Sequence, residues 1–304
     1  MMEKLLQNIE KEVIGKREII EKVVIALLCK GHILLEDVPG VGKTTLVRAI
    51  ARSIDVSFSR IQFTPDLLPA DLLGVSIFNP KDGKFHFQKG PLHSQIVLAD
   101  EINRTSPKTQ SSLLEVMQEQ QITVDNHTYK LNDPFMVIAT QNPIEHEGTF
   151  PLPESQLDRF FMKLSLGYPN ENEELLLLNE DFENNSLNPV LTGEDIINAR
   201  KEVEKIYVSE AIKSYIVKLC RRSRSHSAIE LGASPRATLA LYSASKALGY
   251  IKGRDFVTPE DIQYLYTDIL AHRIFVTAET RYQGRDGKAV LKDILNSTPV
   301  PVGD

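Results

Sequence analysis

A short glycine-rich loop near the start of the sequence contains residues whose types and spacing could do chemistry. Its residues are Pro39, Gly40, Val41, Gly42, Lys43, Thr44 and Thr45. The loop follows an apolar run over 33–35 and precedes a helical pattern over 43–53. Between a strand and a helix, backbone N–H groups and the positive end of the helix can surround a phosphate group. The pattern therefore predicts a phosphate-binding (Walker A) loop.

The polar side chains of this loop have predicted roles. Lys43 supplies positive charge to the β and γ phosphates of ATP, and Thr44 supplies a hydroxyl to Mg²⁺. The usual pattern begins with glycine, whereas Asp37 stands at that position here. The phosphate-facing end of the loop is nevertheless intact. A Gly-Lys-Thr run can also merely start a helix, but the agreement of strand, loop and helix favours ATP and Mg²⁺ as ligands.

A second candidate is the carboxylate pair Asp100-Glu101, which directly follows the apolar run 96–99. A buried parallel strand needs no charge at its end, and adjacent carboxylates repel each other unless a cation such as Mg²⁺ is near. The spacing predicts a Walker B pair, in which Asp100 holds the metal, directly or through water. Glu101 would orient and activate the attacking water. Alone, such a pair is often only a solvated strand end.

Apolar runs and helical patterns alternate through the first half of the chain, which predicts a parallel sheet covered by helices. The predicted strands are 33–35, 56–63, 96–99, 135–139 and 162–166. A helix opened by Ser106-Pro107 separates the third strand from the fourth. Two further segments, 75–87 around Asp82-Gly83 and 122–131 around Asp125-Asn126, are typical of hairpins.

The second half of the chain is helical, and no strand is predicted after Pro169. The predicted helices are 171–182, 192–206, 209–224, 234–250 and 258–273. Two of them begin with a capping hydroxyl followed by proline, at Ser234-Pro235 and Thr258-Pro259. Asp261 completes a capping box with Thr258. We therefore expect an α/β domain over 1–168 and an α-helical domain over 169–304.

Composition limits the classes of protein that the chain can belong to. It has 304 residues, of which 42% are hydrophobic and 25% charged, as in ordinary globular proteins. The net charge of −6 argues against a dedicated nucleic-acid binder. The two cysteines, Cys29 and Cys220, have no metal-ligand spacing and fit a reducing compartment. Without a signal pattern or an apolar run long enough to span a bilayer, a cytoplasmic location is expected.

Together these motifs resemble AAA+ ATPases, and more narrowly the MoxR family. The segments that carry the resemblance are 13–16, 35–44, 100–104, 139–143, 147–154, 156–160, 234–236 and 299–301. They extend through nearly the whole chain. The resemblance implies a P-loop NTPase core with helices on both faces and two hairpin inserts, followed by an all-α lid. It also implies ATP hydrolysis in a ring, expected to be a hexamer.

The resemblance assigns further residues to the nucleotide. Val13, Ile14 and Gly15 resemble the segment that packs on the adenine, and Asn142 looks like sensor 1. From the residues alone, Asn142 could equally be an ordinary residue that ends a strand before Pro143.

Two arginines also acquire roles from the resemblance. Arg159 looks like the arginine finger that reaches the nucleotide of the neighbouring subunit, although a local pair with Asp158 or Glu154 is the alternative. Arg236 looks like sensor 2. A cation in the first turn of a helix opposes the helix dipole, so local helix stability does not explain Arg236, whereas a phosphate in front of it would.

Three functions are consistent with these observations. The favoured one is a ring ATPase that remodels or matures other proteins, with a partner that carries a von Willebrand factor A domain and a client that the sequence does not name. The alternatives are a nucleic-acid motor related to the MCM group and a nucleotide-gated binding module. Acidic net charge disfavours the motor, whose basic run would be Arg221-Arg222-Ser223-Arg224. Intact Glu101 and Arg159 disfavour the binding module, which needs neither.

Overall fold

The computed structural model describes residues 1–142, 148–179 and 187–301. The strands are β1 Ile33–Glu36, β2 Phe58–Gln62, β3 Gly74–Asn79, β4 Lys84–Lys89, β5 Ile96–Asp100, β6 Gln121–Val124, β7 His127–Lys130, β8 Met136–Gln141, β9 Met162–Leu164, β10 Ile229–Leu231 and β11 Phe275–Val276. The helices are α1 Met2–Glu10, α2 Arg17–Leu28, α3 Lys43–Ser53, α4 Pro69–Leu73, α5 Pro107–Glu119, α6 Glu154–Leu157, α7 Glu171–Asn179, α8 Gly193–Lys205, α9 Glu210–Ser225, α10 Pro235–Ile251, α11 Pro259–Leu270, α12 Ala278–Tyr282 and α13 Gly287–Ser297. Short 3₁₀ turns cover Pro91–His93, Ile102–Arg104 and Ala271–Arg273.

The predicted sheet is confirmed, with the strand order β2-β5-β8-β1-β9. Strands β2, β5, β8 and β1 pair in parallel. The carboxyl ends of parallel neighbours lie at the same edge of a sheet, so Gln62 is the register partner of Asp100, and Glu36 is the partner of Gln141. This edge therefore collects the polar residues that end the apolar strands.

Two helices of this region follow the predicted patterns. Helix α3 begins at Lys43, directly after the glycine-rich loop. Helix α5 begins after Ser106, whose hydroxyl accepts a hydrogen bond from the Thr109 N–H (3.4 Å), and it buries Leu113, Leu114 and Met117. Among the residues that the structure describes, no helix has the length and apolar content needed to cross a bilayer.

Both predicted hairpins are present as antiparallel pairs, β3 with β4 and β6 with β7. The turn between β6 and β7 places Asp125 and Asn126 at positive φ (50° and 65°), as a tight hairpin turn requires. The hairpins contact each other, because the rings of Phe87 and Tyr129 stack with their centroids 4.4 Å apart. They therefore form one joint surface element.

The chain divides into two compact units. The first comprises Met1–Val23, His32–Leu152 and Ser165–Ile197, and the second comprises Val24–Gly31, Pro153–Leu164 and Asn198–Asp304. A compact unit is defined by contacts and need not fold independently. The single domain boundary after residue 168 thus remains a prediction.

The second unit is mainly helical, as predicted, with α9, α10 and α11 as its longest helices of described residues. It also contains a short antiparallel pair, β10 with β11, although no strand was expected after Pro169. Strands of three and two residues are too short to show an alternating pattern in the sequence. The predicted end of the 171–182 helix beyond Asn179 lies outside the described residues.

The predicted capping box at the start of α11 is confirmed. Asp261 is buried, and its Oδ2 accepts a hydrogen bond from the Thr258 N–H (2.8 Å). Arg254 donates to both carboxylate oxygens of Asp261, at 2.9 and 2.6 Å. One carboxylate thus fixes a helix start and an arginine of the preceding loop.

We predict that Asp261→Ala lowers the free energy of unfolding by about 1–3 kcal/mol, because the substitution removes a helix cap and leaves Arg254 without its carboxylate. Urea unfolding followed by circular dichroism measures the change. Asp286→Ala is the matched control, since Asp286 caps α13 through the Ala289 N–H (2.8 Å) from an exposed position. Equal losses for the two variants would contradict the prediction.

Candidate functional site

A cleft of about 230 Å³ opens at the carboxyl edge of the sheet. Its lining residues are Pro39, Gly40, Gly42, Lys43, Thr44, Thr45, Arg60, Gln62, Asp100, Glu101, Thr140 and Asn142. The cleft thus brings the glycine-rich loop, the acidic pair and Asn142 together. Of the predicted loop residues, Val41 is half-buried and does not line the cleft.

The loop adopts a conformation that requires glycine at two positions. Gly40 and Gly42 have φ of 85° and 90°, where a side chain would be strained although the space around both is open. The Lys43 ammonium donates to the carbonyls of Asp37 (3.0 Å) and Val38 (3.2 Å). These acceptors are neutral, so a phosphate oxygen would be a stronger partner for Lys43.

Asp37 explains why the loop does not begin with glycine. Its side chain is buried and accepts hydrogen bonds from the Ser165 hydroxyl (2.7 Å) and from the N–H groups of Leu166 (2.7 Å) and Gly167 (3.0 Å). A carboxylate has enough acceptor sites for all three donors, whereas glycine has none. Asp37 therefore anchors the start of the loop to residues 165–167.

Asp100 is held from two sides. Its Oδ1 accepts a hydrogen bond from the Thr140 hydroxyl (2.6 Å), and its Oδ2 accepts from Nη2 (2.7 Å) and Nε (3.2 Å) of Arg60. The Thr44 hydroxyl and the Asp100 carboxylate both line the cleft. Hydroxyl and carboxylate oxygens are hard donors of the kind that Mg²⁺ takes together with phosphate and water. The residues present therefore fit this metal.

Glu101 has an unusual backbone conformation in the cleft. Its backbone is left-handed (φ 59°, ψ 49°), which costs a residue with a side chain about 1–3 kcal/mol. The Thr140 hydroxyl accepts a hydrogen bond from the Glu101 N–H (2.9 Å) and so supports this conformation. The carboxylate accepts from Gln62 Nε2 (2.7 Å) and Arg104 Nη1 (2.8 Å). Glu101 is thus positioned through both its backbone and its side chain.

Three of these residues, Arg60, Gln62 and Thr140, were not identified from the sequence. Each lies on a strand next to the strand that carries Asp100. The polar ends of the predicted strands were visible in the sequence, but their contacts depend on strand order. Only a known order could have shown that Gln62 lies beside Asp100.

The predicted adenine-binding residues lie in the first unit but do not line the cleft. Val13 is buried, Ile14 is half-buried, and Gly15 has φ 69°. A Cβ on Gly15 would lie 1.9 Å from the carboxylate end of the flexible Glu173 side chain, which can move aside, so it is the backbone conformation that favours glycine here. Their contact with adenine remains a prediction.

Arg159 and Arg236 belong to the second unit. Arg236 lies in the first turn of α10 and pairs with Asp158 at 3.7 Å (Nη1–Oδ2). Among the described residues Arg159 forms no ion pair, and the carboxylate of Asp158 faces Arg236 and Arg273 instead. The local pair of Arg159 with Asp158 is therefore not formed, and the roles of the two arginines remain predictions.

We predict that Asp37→Ala lowers the free energy of unfolding by about 2–4 kcal/mol, because it leaves two backbone N–H groups without their buried acceptor. Urea unfolding of the purified protein measures this change. Asp37→Asn is the matched variant, and its single carbonyl oxygen should recover part of the loss. Unfolding curves of Asp37→Ala that coincide with wild type would contradict the anchoring role.

Comparison with known proteins agrees with this geometry. Residues 32–162 match the ATPase family associated with various cellular activities (AAA), and residues 221–294 match the AAA lid domain. The chain is 50% identical to the uncharacterized protein YeaC of Bacillus subtilis, over 99% of this chain and 95% of that protein. A provisionally assigned ATPase from Cytophaga hutchinsonii, known from a crystal structure, is 40% identical. It superimposes with a TM-score of 0.92 over 99% of this chain and 94% of that one.

Another relative connects the fold with a more specific family. The Chaperone MoxR1 of Mycobacterium tuberculosis is 36% identical over 99% of this chain and 82% of that protein. The segments that carry the resemblance in the sequence include the loop and the acidic pair that meet in the cleft. With both the AAA and the lid models matched, the chain belongs to the MoxR family of AAA+ ATPases.

Proposed function

We propose that this chain hydrolyses ATP to ADP and phosphate with Mg²⁺, within a ring whose subunits share their active sites, and that the energy remodels or matures partner proteins. The observation that carries the proposal is the cleft at the sheet edge. It combines a phosphate-binding cation, Lys43, with the carboxylates Asp100 and Glu101 and the amide of Asn142. A site that only binds phosphate does not need the second carboxylate.

The residues of the cleft have distinct roles in the proposed reaction. Lys43 exchanges its carbonyl partners for the β and γ phosphate oxygens, and Thr44 and Asp100 would hold Mg²⁺. When bound, the metal neutralises charge that develops on the phosphates. Glu101 orients the attacking water and accepts its proton, and the Asn142 amide helps to position that water.

Arg159 is proposed to complete the site of the neighbouring subunit. A guanidinium that contacts the transferring phosphoryl group stabilises its charge in the transition state. Arg159 is free to take this role because no described residue forms an ion pair with it. Such a contact needs a heterologous, head-to-tail interface, which forms a ring when the rotation between subunits closes. We propose a hexamer by family resemblance.

Protein clients are favoured over nucleic acid. Within the basic run 221–224, Arg222 donates to the Ser297 carbonyl (2.7 Å) and the Thr298 hydroxyl (2.7 Å). Arg224 donates to the Ala233 carbonyl (2.7 Å). These two arginines stabilise their own unit and are poorly available for phosphate contacts along a nucleic acid.

The similarity to Chaperone MoxR1 also supports action on proteins. By the same resemblance, a partner with a von Willebrand factor A domain is part of the proposal. The alternative of a nucleotide-gated binding module is disfavoured by Glu101. Its left-handed backbone costs stability, and a module that does not hydrolyse ATP gains nothing from it.

We predict that Glu101→Gln binds ATP with wild-type affinity but lowers kcat by about 10²- to 10⁴-fold, the usual contribution of a general base. Phosphate release measures turnover, and isothermal titration calorimetry measures binding. Lys43→Ala is the matched control and should lose nucleotide binding itself. Wild-type turnover in Glu101→Gln would remove Glu101 from the base role, and unchanged ATP affinity in Lys43→Ala would overturn the loop assignment.

We predict that Arg159→Ala and Glu101→Gln, each inactive alone, regain turnover when mixed. An Arg159→Ala subunit keeps its own Glu101 and can receive Arg159 from a Glu101→Gln neighbour. Random mixing in equal amounts restores roughly a quarter of the sites if the interfaces are head-to-tail. Phosphate release is measured across mixing ratios, with native mass spectrometry to demonstrate mixed rings. Mixed rings without turnover at any ratio would contradict a role of Arg159 in the neighbouring site.

A further inference from the structure

The carboxylate of Asp158, in the second unit, contacts two arginines and the residue that caps a helix. Asp158 Oδ1 lies 3.5 Å from Nε of Arg273, and Oδ2 lies 3.7 Å from Nη1 of Arg236. The hydroxyl of Ser234, the residue that caps α10, donates to both oxygens at 3.0 and 3.1 Å. Asp158 therefore contacts the first residues of α10, the helix that carries Arg236.

The two arginines are held very differently. The side chain of Arg273 is only 2% exposed, and it also donates to the Phe160 carbonyl (2.6 Å) and to Nε2 of His272 (3.2 Å). Burial lowers the pKa of Arg273 to about 10, so its guanidinium stays charged at neutral pH. Several buried contacts thus retain Arg273 in place.

Arg236 is the replaceable partner. Its side chain is 49% exposed, and its distance of 3.7 Å from Asp158 exceeds that of a hydrogen bond. Within the described part of the chain, this is its one ion pair. An ion pair exposed to this degree contributes little to stability, so Arg236 can exchange it for another anion at small cost.

The cluster around Asp158 has a surplus of positive charge. Arg236 and Arg273 together carry two positive charges against the single carboxylate of Asp158. Burial lowers the pKa of His272 to about 3, so this neighbour is neutral. A further anion is therefore attracted to Arg236, the more exposed of the two guanidiniums.

Asp158 also compensates for the position of Arg236. A cation in the first turn of α10 opposes the helix dipole, and a carboxylate at the same helix end offsets it. Removing the carboxylate leaves Arg236 at an unfavourable position, so a replacement anion becomes more favourable. A phosphate of ATP is such an anion if Arg236 acts as sensor 2.

We propose that Asp158 is a positioning residue that acts through Arg236: it is the counter-ion that Arg236 must leave in order to bind the γ phosphate of ATP. This inference rests on the proposed ATPase function and on the sensor 2 role that the family resemblance implies for Arg236. Asp158 then weakens the binding of ATP relative to ADP, because only ATP has the phosphate that competes with it for Arg236. After the exchange, Asp158 still has Ser234 and Arg273 as partners. Asp158 directly precedes Arg159 in the chain.

We predict that Asp158→Asn, made in the Glu101→Gln background to prevent turnover, binds ATP about two- to fivefold more tightly while its ADP affinity is unchanged. This is the range expected when a competing ion pair exposed to this degree is removed. Displacement of a fluorescent ADP derivative by ATP and by ADP measures both affinities. Asp158→Ser is a second neutral variant in case the asparagine variant does not fold, and Asp158→Glu, which keeps the charge, should retain the wild-type ratio of ADP to ATP dissociation constants.

Two controls separate positioning from stability and from the sensor assignment. Asp261→Asn, which removes a carboxylate from another arginine-paired helix start, should lower thermal stability without changing that ratio. In an Arg236→Ala background the effect of Asp158→Asn should vanish. Suppose that Arg236→Ala weakens ATP binding, as a sensor role requires. A wild-type ratio of ADP to ATP dissociation constants in both neutral Asp158 variants would then overturn the inference. If Arg236→Ala has no effect on ATP binding, the sensor role fails, and the inference fails with it.

Discussion

The hydroxyl of Thr140 makes the contact on which the geometry of the cleft depends. It donates to Asp100 and accepts from the N–H of Glu101, so one side chain connects the two carboxylate residues. The contact requires β5 and β8 to be parallel neighbours with Ala99 opposite Ala139, because only then do the next residues of both strands lie side by side. Sheet register therefore places Asp100 and Glu101, for which we propose metal-binding and water-activating roles, and their own side chains add only local adjustment.

A second constraint is that a charged group inside a cleft needs a partner at all times, since an unpaired charge removed from water is costly. Lys43 meets this need with backbone carbonyls, Asp100 with Arg60, and Glu101 with Gln62 and Arg104. These partners are neutral or half-exposed, so each contact is weak enough to be exchanged. A ligand that brings three phosphates and a divalent cation can replace several of them together.

Local chemistry was predictable from the sequence, whereas contacts between distant segments were not. The hairpin turn at Asp125-Asn126 and the cap at Ser106 depend on the conformational preferences of a few adjacent residues, and both are present. Likewise, the glycine-rich loop and the acidic pair each have a local signature. Arg60 has none, because its role follows from β2 lying beside β5. The strands β10 and β11 were not predicted because they are too short: two or three residues cannot show an alternating pattern of apolar and polar residues.

Three residues of this chain break a local preference, and each is explained by a distant partner. Asp37 replaces a loop glycine and binds residues 165–167, and Glu101 takes a left-handed backbone supported by Thr140. Both of these residues have hydrogen-bonded partners within the protein. Arg236 differs, because its carboxylate partner is shared, lies beyond hydrogen-bond distance and leaves it half in solvent. Local rules are broken at functional sites, and incomplete compensation leaves room for a ligand. Of the three residues, Arg236 is therefore the one whose partner a further anion could replace most easily.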